Sequence, residues 1–117
     1  MTRVLVLDDE PALRRSFGRM LQRRGAKVVL AATIEEAKHA VLEGGVDRVL
    51  SDVMLDQGTG PEFHTWLAEQ QPSLAEHLVF MSGNCPDHLR AYIDGLPNPL
   101  LTKPITPDEL FEAMGLR

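Results

Sequence analysis

The sequence predicts an α/β domain: a doubly wound parallel sheet of five strands, joined by right-handed helical crossovers. Three observations predict it. Short apolar runs alternate five times with stretches of helical periodicity. The runs are continuous rather than alternating, as in strands covered on both faces. Four of them stop at a polar or charged group: Asp8-Asp9, Asp52, Ser82 and Lys103.

The first strand is the run Val4 to Leu7, which Asp8-Asp9-Glu10 ends. Pro11 suits the first turn of a helix, where its missing N–H costs nothing. Leu13, Phe17, Met20 and Leu21 then recur at helical spacing, and Gly25 supplies a stop. Lys27 to Ala31 is the second strand. Thr33 and Glu36 form a capping-box pattern before Ile34, Ala37 and Val41, and Gly44-Gly45 closes that helix. Val46 to Ser51 is the third strand, with Asp52 following it. A loop from Met54 to Gly60 leads to a helix opened by Pro61, with Phe63, Trp66 and Leu67 inward and Gln71-Pro72 at its end. His77 to Met81 is the fourth strand. Pro86 begins a short helix carrying Leu89, Ile93 and Leu96, and Pro97 and Pro99 break the chain before the fifth strand, Pro99 to Thr102. Thr106, Pro107 and Glu109 start a last helix through Leu110, Phe111 and Met114.

One domain of 117 residues accommodates all of this, and residues 1–117 are read as a single unit. A hydrophobic share of 44% with 25% charged residues supports a core and solubility. The net charge of −5 argues against nucleic acid, because a phosphate backbone must be met by clustered cations. Arg14, Arg15, Arg19, Arg23 and Arg24 do cluster, and a solvated helix face accounts for them. Cys85 is the single cysteine, so no internal disulfide forms, and a reducing cytoplasm fits. No apolar run approaches the length of a membrane span. His39, His64, His77 and His88 show no ligand spacing on one helix and are read as surface residues.

In an open parallel sheet the C-terminal strand ends share one edge, where sites form. Asp8, Asp9 and Asp52 would bring three carboxylates together there, and three such charges repel unless a cation joins them. Hard oxygen ligands suit Mg²⁺. An Asp carboxylate is a phosphoryl acceptor that forms a covalent intermediate. Lys103 supplies a point charge for phosphoryl oxygens, and the Ser82 hydroxyl a hydrogen bond. Any one of these residues alone is an ordinary turn or loop residue. Four strand ends each carrying the required group are not.

Val4-Leu5-Val6-Leu7-Asp8-Asp9-Glu10, Leu50-Ser51-Asp52, Met81-Ser82-Gly83 and Thr102-Lys103-Pro104 resemble the receiver domains of two-component response regulators, in order and spacing, over essentially the whole chain. The resemblance implies a flavodoxin-like receiver topology with strand order 2-1-3-4-5. It implies Asp52 as phosphoacceptor and Mg²⁺ held by Asp9, Asp52 and the Met54 backbone carbonyl, with Asp8 acting mainly through water. Ser82 would be the switch hydroxyl, Lys103 the phosphate-contacting base, and Lys103-Pro104 a cis bond. The partners implied are a histidine kinase or phosphotransfer protein and a downstream protein target, with self-catalysed phosphorylation and slow self-dephosphorylation. The expected output is protein contact, whether the domain stands alone or is cut from a hybrid kinase or longer regulator, and the isolated domain is expected to be monomeric. Two positions depart from the family pattern: Asp56-Gln57 replaces a common Pro-Gly, and Leu100 stands where an aromatic residue is usual.

Three other readings compete. A flavodoxin-like cofactor binder needs a phosphate-holding loop after the first strand, and Asp8-Asp9-Glu10 would repel phosphate. A haloacid-dehalogenase-type phosphatase needs a second acid two residues after the nucleophile, where Met54 stands. A receiver-like module that binds partners without phosphorylation typically lacks an acid or the lysine, and here all are present.

Overall fold

The computed structural model describes residues 1–116. Its elements are β1 (Arg3–Leu7), α1 (Pro11–Arg23), β2 (Lys27–Ala31), α2 (Ile34–Glu43), β3 (Arg48–Asp52), α3 (Gly60–Gln70), α4 (Pro72–Ala75), β4 (Leu78–Ser82), α5 (Asp87–Asp94), β5 (Leu100–Thr102) and α6 (Pro107–Met114). All strand pairs are parallel, in the order β2-β1-β3-β4-β5. The expected fold class and strand order are both present.

Alternation along the strands divides the core into two. Val4, Val6, Leu50, Val79 and Met81 face α1 and α6, meeting Phe17, Leu21, Leu110 and Met114. Leu5, Leu7, Val49, Leu78 and Phe80 face the other helices, meeting Ala37, Val41, Phe63, Leu67, Leu74 and Ile93. Burial on both faces is why the strands read as unbroken apolar runs.

Helix ends follow local chemistry. Thr33 Oγ1 accepts from Glu36 N, and Glu36 reaches back to Ala32 N rather than to the cap residue itself. Thr106 and Glu109 form the full reciprocal box at α6.

The fourth strand is displaced by one residue and the fifth starts one residue later than expected, and three larger expectations need correction. The third strand is shifted: it starts at Arg48 and includes Asp52. Asp47 caps β1 from outside the strand, its carboxylate accepting from Arg3 N at 2.9 Å, while Asp52 stays in register with Met81. Apolarity marks burial, but the ladder is set by backbone pairing. A sixth helix, the single turn α4, follows Gln71. Pro72 ends α3 because it bars helical geometry in the preceding residue, and then opens the next turn itself. Asn98 braces that turn, donating from Nδ2 to the carbonyls of Ala75 at 2.8 Å and Leu78 at 2.7 Å. Finally, His64 is a buried residue of α3 and not a surface one. It packs on Phe80 with ring centroids 5.9 Å apart.

Candidate functional site

Asp8 and Asp9 follow β1, and Asp52 ends β3, the neighbouring strand. Each of the three offers an oxygen to a cluster whose ligand atoms all lie within 4.8 Å of one another. Chain direction reverses its order across this point: β2 lies to one side of β1 and β3 to the other. That is the crevice where doubly wound sheets bind ligands.

Asp8 is fully buried. Its Oδ1 accepts from Glu10 N at 2.9 Å, which shapes the turn, and Arg14 Nη1 donates to its backbone carbonyl at 2.8 Å. Arg14 is therefore a site-supporting residue that the sequence placed on a solvated face. Asp8 Oδ2 is buried without a hydrogen-bond partner and faces Lys103 Nζ at 3.6 Å. The same Nζ donates to Asp52 Oδ2 at 3.2 Å. One cation is thus shared between two buried carboxylates.

Burial pushes the Asp52 carboxyl above its ordinary value, Lys103 opposes this, and the negative charge of Asp8 adds to the rise. Asp56, exposed in the loop after β3, is also raised, by hydrogen bonding to Asp9 and by the repulsion between the two charges. The cluster is over-supplied with negative charge. Oxygen-only donors and an orphaned buried carboxylate oxygen fit a hard divalent cation such as Mg²⁺.

Ser82 ends β4 and is buried. Lys103 follows β5, and its backbone N–H donates to the Ser82 carbonyl at 2.9 Å. The Lys103-Pro104 bond is cis, as the resemblance implied. Met54 lies two residues past Asp52, its side chain exposed, and it pairs with Thr59 in an isolated antiparallel bridge. So the structure gathers Asp8, Asp9 and Asp52 within 4.8 Å of one another, pairs Lys103 with Asp8 and Asp52, and sets Ser82 beside Lys103 through the backbone.

Two further features support Asp52 through its backbone carbonyl. Ser51 Oγ donates to the Asp52 carbonyl at 3.0 Å, a bond with no sequence signature. Gly60 packs against the same carbonyl so tightly that any β-carbon would collide with it. The legible signal there was the glycine itself, which permits close backbone approach.

Comparison with known proteins bears on the family and the fold. The family model for the response regulator receiver domain matches residues 4–115. The transcriptional regulatory protein GlrR of Escherichia coli (strain K12) is 30% identical over 111 residues, which are 95% of this chain and 25% of that protein. The response regulator Rre1 of Synechocystis is 34% identical, covering 92% of this chain and 47% of its own. The chain therefore spans between a quarter and a half of these relatives. Among solved structures, a CheY-like receiver domain protein from Methanospirillum hungatei superposes with TM-score 0.88 at 21% identity, covering 98% of this chain and 91% of that one. The response regulator TrrA from Thermotoga maritima, solved with Mg²⁺ and beryllofluoride, superposes with TM-score 0.83 at 24% identity, covering 98% and 97%. These likenesses carry the fold. Membership rests on the model, which spans nearly every residue: the chain belongs to the receiver-domain family of response regulators.

Proposed function

We propose that residues 1–117 act as one phosphoacceptor domain, taking a phosphoryl group on Asp52 from a histidine kinase or phosphotransfer protein. The observation that carries the proposal is the shared cation: Lys103 Nζ stands 3.2 Å from Asp52 Oδ2 and 3.6 Å from Asp8 Oδ2. A lysine held between two carboxylates is already placed where phosphoryl oxygens would need a positive charge.

In the step proposed, an Asp52 Oδ attacks phosphorus in line, the P–O bond forms, and the P–N bond of the phosphohistidine donor breaks. The imidazole leaves with the electron pair and takes up a proton. Lys103 pairs with a phosphoryl oxygen, and the Ser82 hydroxyl donates to another. Asp9, Asp52 and the Met54 carbonyl would hold Mg²⁺, with Asp8 acting through water. When bound, the metal supplies positive charge that neutralises the transferring group. The signal leaves by protein contacts on the surface of α5, β5 and α6. The segment Leu96 to Leu100 on that surface carries no charge, which favours a monomer in isolation.

The test is labelling with a small phosphodonor, acetyl phosphate, in Mg²⁺. Wild-type protein should take up one label and Asp52→Ala none. Equal labelling of the variant would refute the assignment. A Mg²⁺ titration should move the amide resonances of residues 8–10 and 52–54, and no movement at millimolar metal would remove the metal from the mechanism.

A further inference from the structure

The chain has one tyrosine, and it is not on β5. Tyr92 lies on α5, and its hydroxyl sits 3.1 Å from His64 Nδ1 and 3.0 Å from Thr65 Oγ1, both on α3. Thr65 Oγ1 in turn donates to the Pro61 carbonyl at 3.0 Å. Counting protons orders this set. A hydroxyl has one proton. Thr65 spends its own on Pro61, so it accepts from Tyr92. Tyr92 then has none left for His64 and must accept from it. The arrangement that fills every contact is a directed chain: His64 Nδ1–H to Tyr92, Tyr92 O–H to Thr65, Thr65 O–H to Pro61.

Among the described residues α5 has few other anchors. It has eight residues, no side-chain N-cap, and Ile93 as its one buried residue. Leu89 and Leu96 are partly buried against the same core. Such an element sits at the low end of local stability, so a hydrogen-bonded chain, even with its Thr65 end exposed, adds to what fixes it. The other end of the chain reaches the phosphoacceptor edge. His64 packs against Phe80, and Phe80 and Ser82 point to the same face of β4. Leu100, in register with Phe80 on β5, has no polar tip to sense a change at Ser82.

We propose that Tyr92 is a positioning residue: its hydroxyl clasps α5 to α3 in the resting domain and releases it when the Ser82 end of β4 rearranges. The release half rests on the phosphoacceptor reading; the clasp itself does not.

Two measurements decide it. Amide hydrogen exchange on the metal-free protein tests the clasp. Tyr92→Phe keeps the ring and removes the hydroxyl with both of its bonds to α3, and should speed exchange across residues 87–95 by up to roughly thirtyfold, the effect of two net hydrogen bonds, while α1 and α2 are unchanged. Thr65→Val removes one of the two bonds and should give a smaller rise, roughly fivefold; the double variant should add little to Tyr92→Phe, and Thr65→Ser should behave as wild type. Nitrogen chemical shifts of His64 should report a proton on Nδ1. Unchanged α5 exchange in Tyr92→Phe, or a rise spread equally over α1 and α2, overturns the clasp. The second measurement adds Mg²⁺ and beryllofluoride. Wild-type α5 should then exchange about as fast as metal-free Tyr92→Phe, and the variant should change little. Beryllofluoride bound at residues 52–54 with wild-type α5 still protected overturns the release. No binding there sinks the phosphoacceptor reading instead, and the metal-free comparison still decides the clasp.

Discussion

Lys103 reaches Ser82 and Asp52 by different routes: its backbone N–H donates to the Ser82 carbonyl at 2.9 Å, and its Nζ to Asp52 Oδ2 at 3.2 Å. One residue thus fixes the spacing of β4 from β5 and balances a buried charge on β3.

Lys103→Ala leaves Asp8 and Asp52 buried without their cation. Breaking a buried pair by removing one partner costs about 3–5 kcal/mol. The partial exposure of this lysine places the expected loss nearer about 2 kcal/mol in metal-free protein. Mg²⁺ held at the proposed site should return much of that loss, because binding to the folded state alone adds to stability. Urea unfolding of both proteins, with and without metal, checks this. Equal stability of the two in the absence of metal would contradict it.

Asp52→Asn should stabilise the metal-free protein. The raised Asp52 pKa means that the folded state holds its proton to higher pH than the unfolded state does, with its ordinary value of 3.8. Its favourable contribution is therefore complete below that value and is lost as pH rises through the folded pKa. At neutral pH the ionised group is a liability that the amide removes. The gain should appear as a raised Tm at neutral pH. At acidic pH, where both states are protonated, the difference should close. In saturating Mg²⁺ the order should reverse. Thermal melts across pH, with and without metal, measure all three.

Asn98→Ala removes both donors from the carbonyls of Ala75 and Leu78. Each buried acceptor left unpaired costs about 1–3 kcal/mol. The variant should lose roughly 2–4 kcal/mol in urea unfolding, with fastest new exchange at residues 72–78. Metal binding at the opposite end of the sheet should be unaltered, as magnesium titration can check.

The sheet and the polar strand ends were legible because both-face burial writes continuous apolar runs, and because a parallel sheet gathers strand ends at one edge. Strand limits were less so: Asp47 and Asp52 differ in role through backbone pairing, which composition does not encode. α4 was hidden because Pro72 serves as both stop and start. Arg14 was read as solvated because its partner is a backbone carbonyl. His64 was misplaced for a related reason. It has no ligand-spaced companion on its helix, and its partners, Phe80 and Tyr92, come from β4 and α5.

Asn98 has a mechanical consequence. It pins the chain between α5 and β5 to the start of β4, while the opposite end of α5 leaves Pro86 with no side-chain cap. A rod fastened at one end swings rather than slides. Eight residues make a helix about 12 Å long, so any tilt of α5 is multiplied toward Asp87 and His88 and nearly vanishes at Gly95. A partner reading the first turn of this helix would meet the largest displacement along it, and one reading its last turn would meet an almost stationary surface.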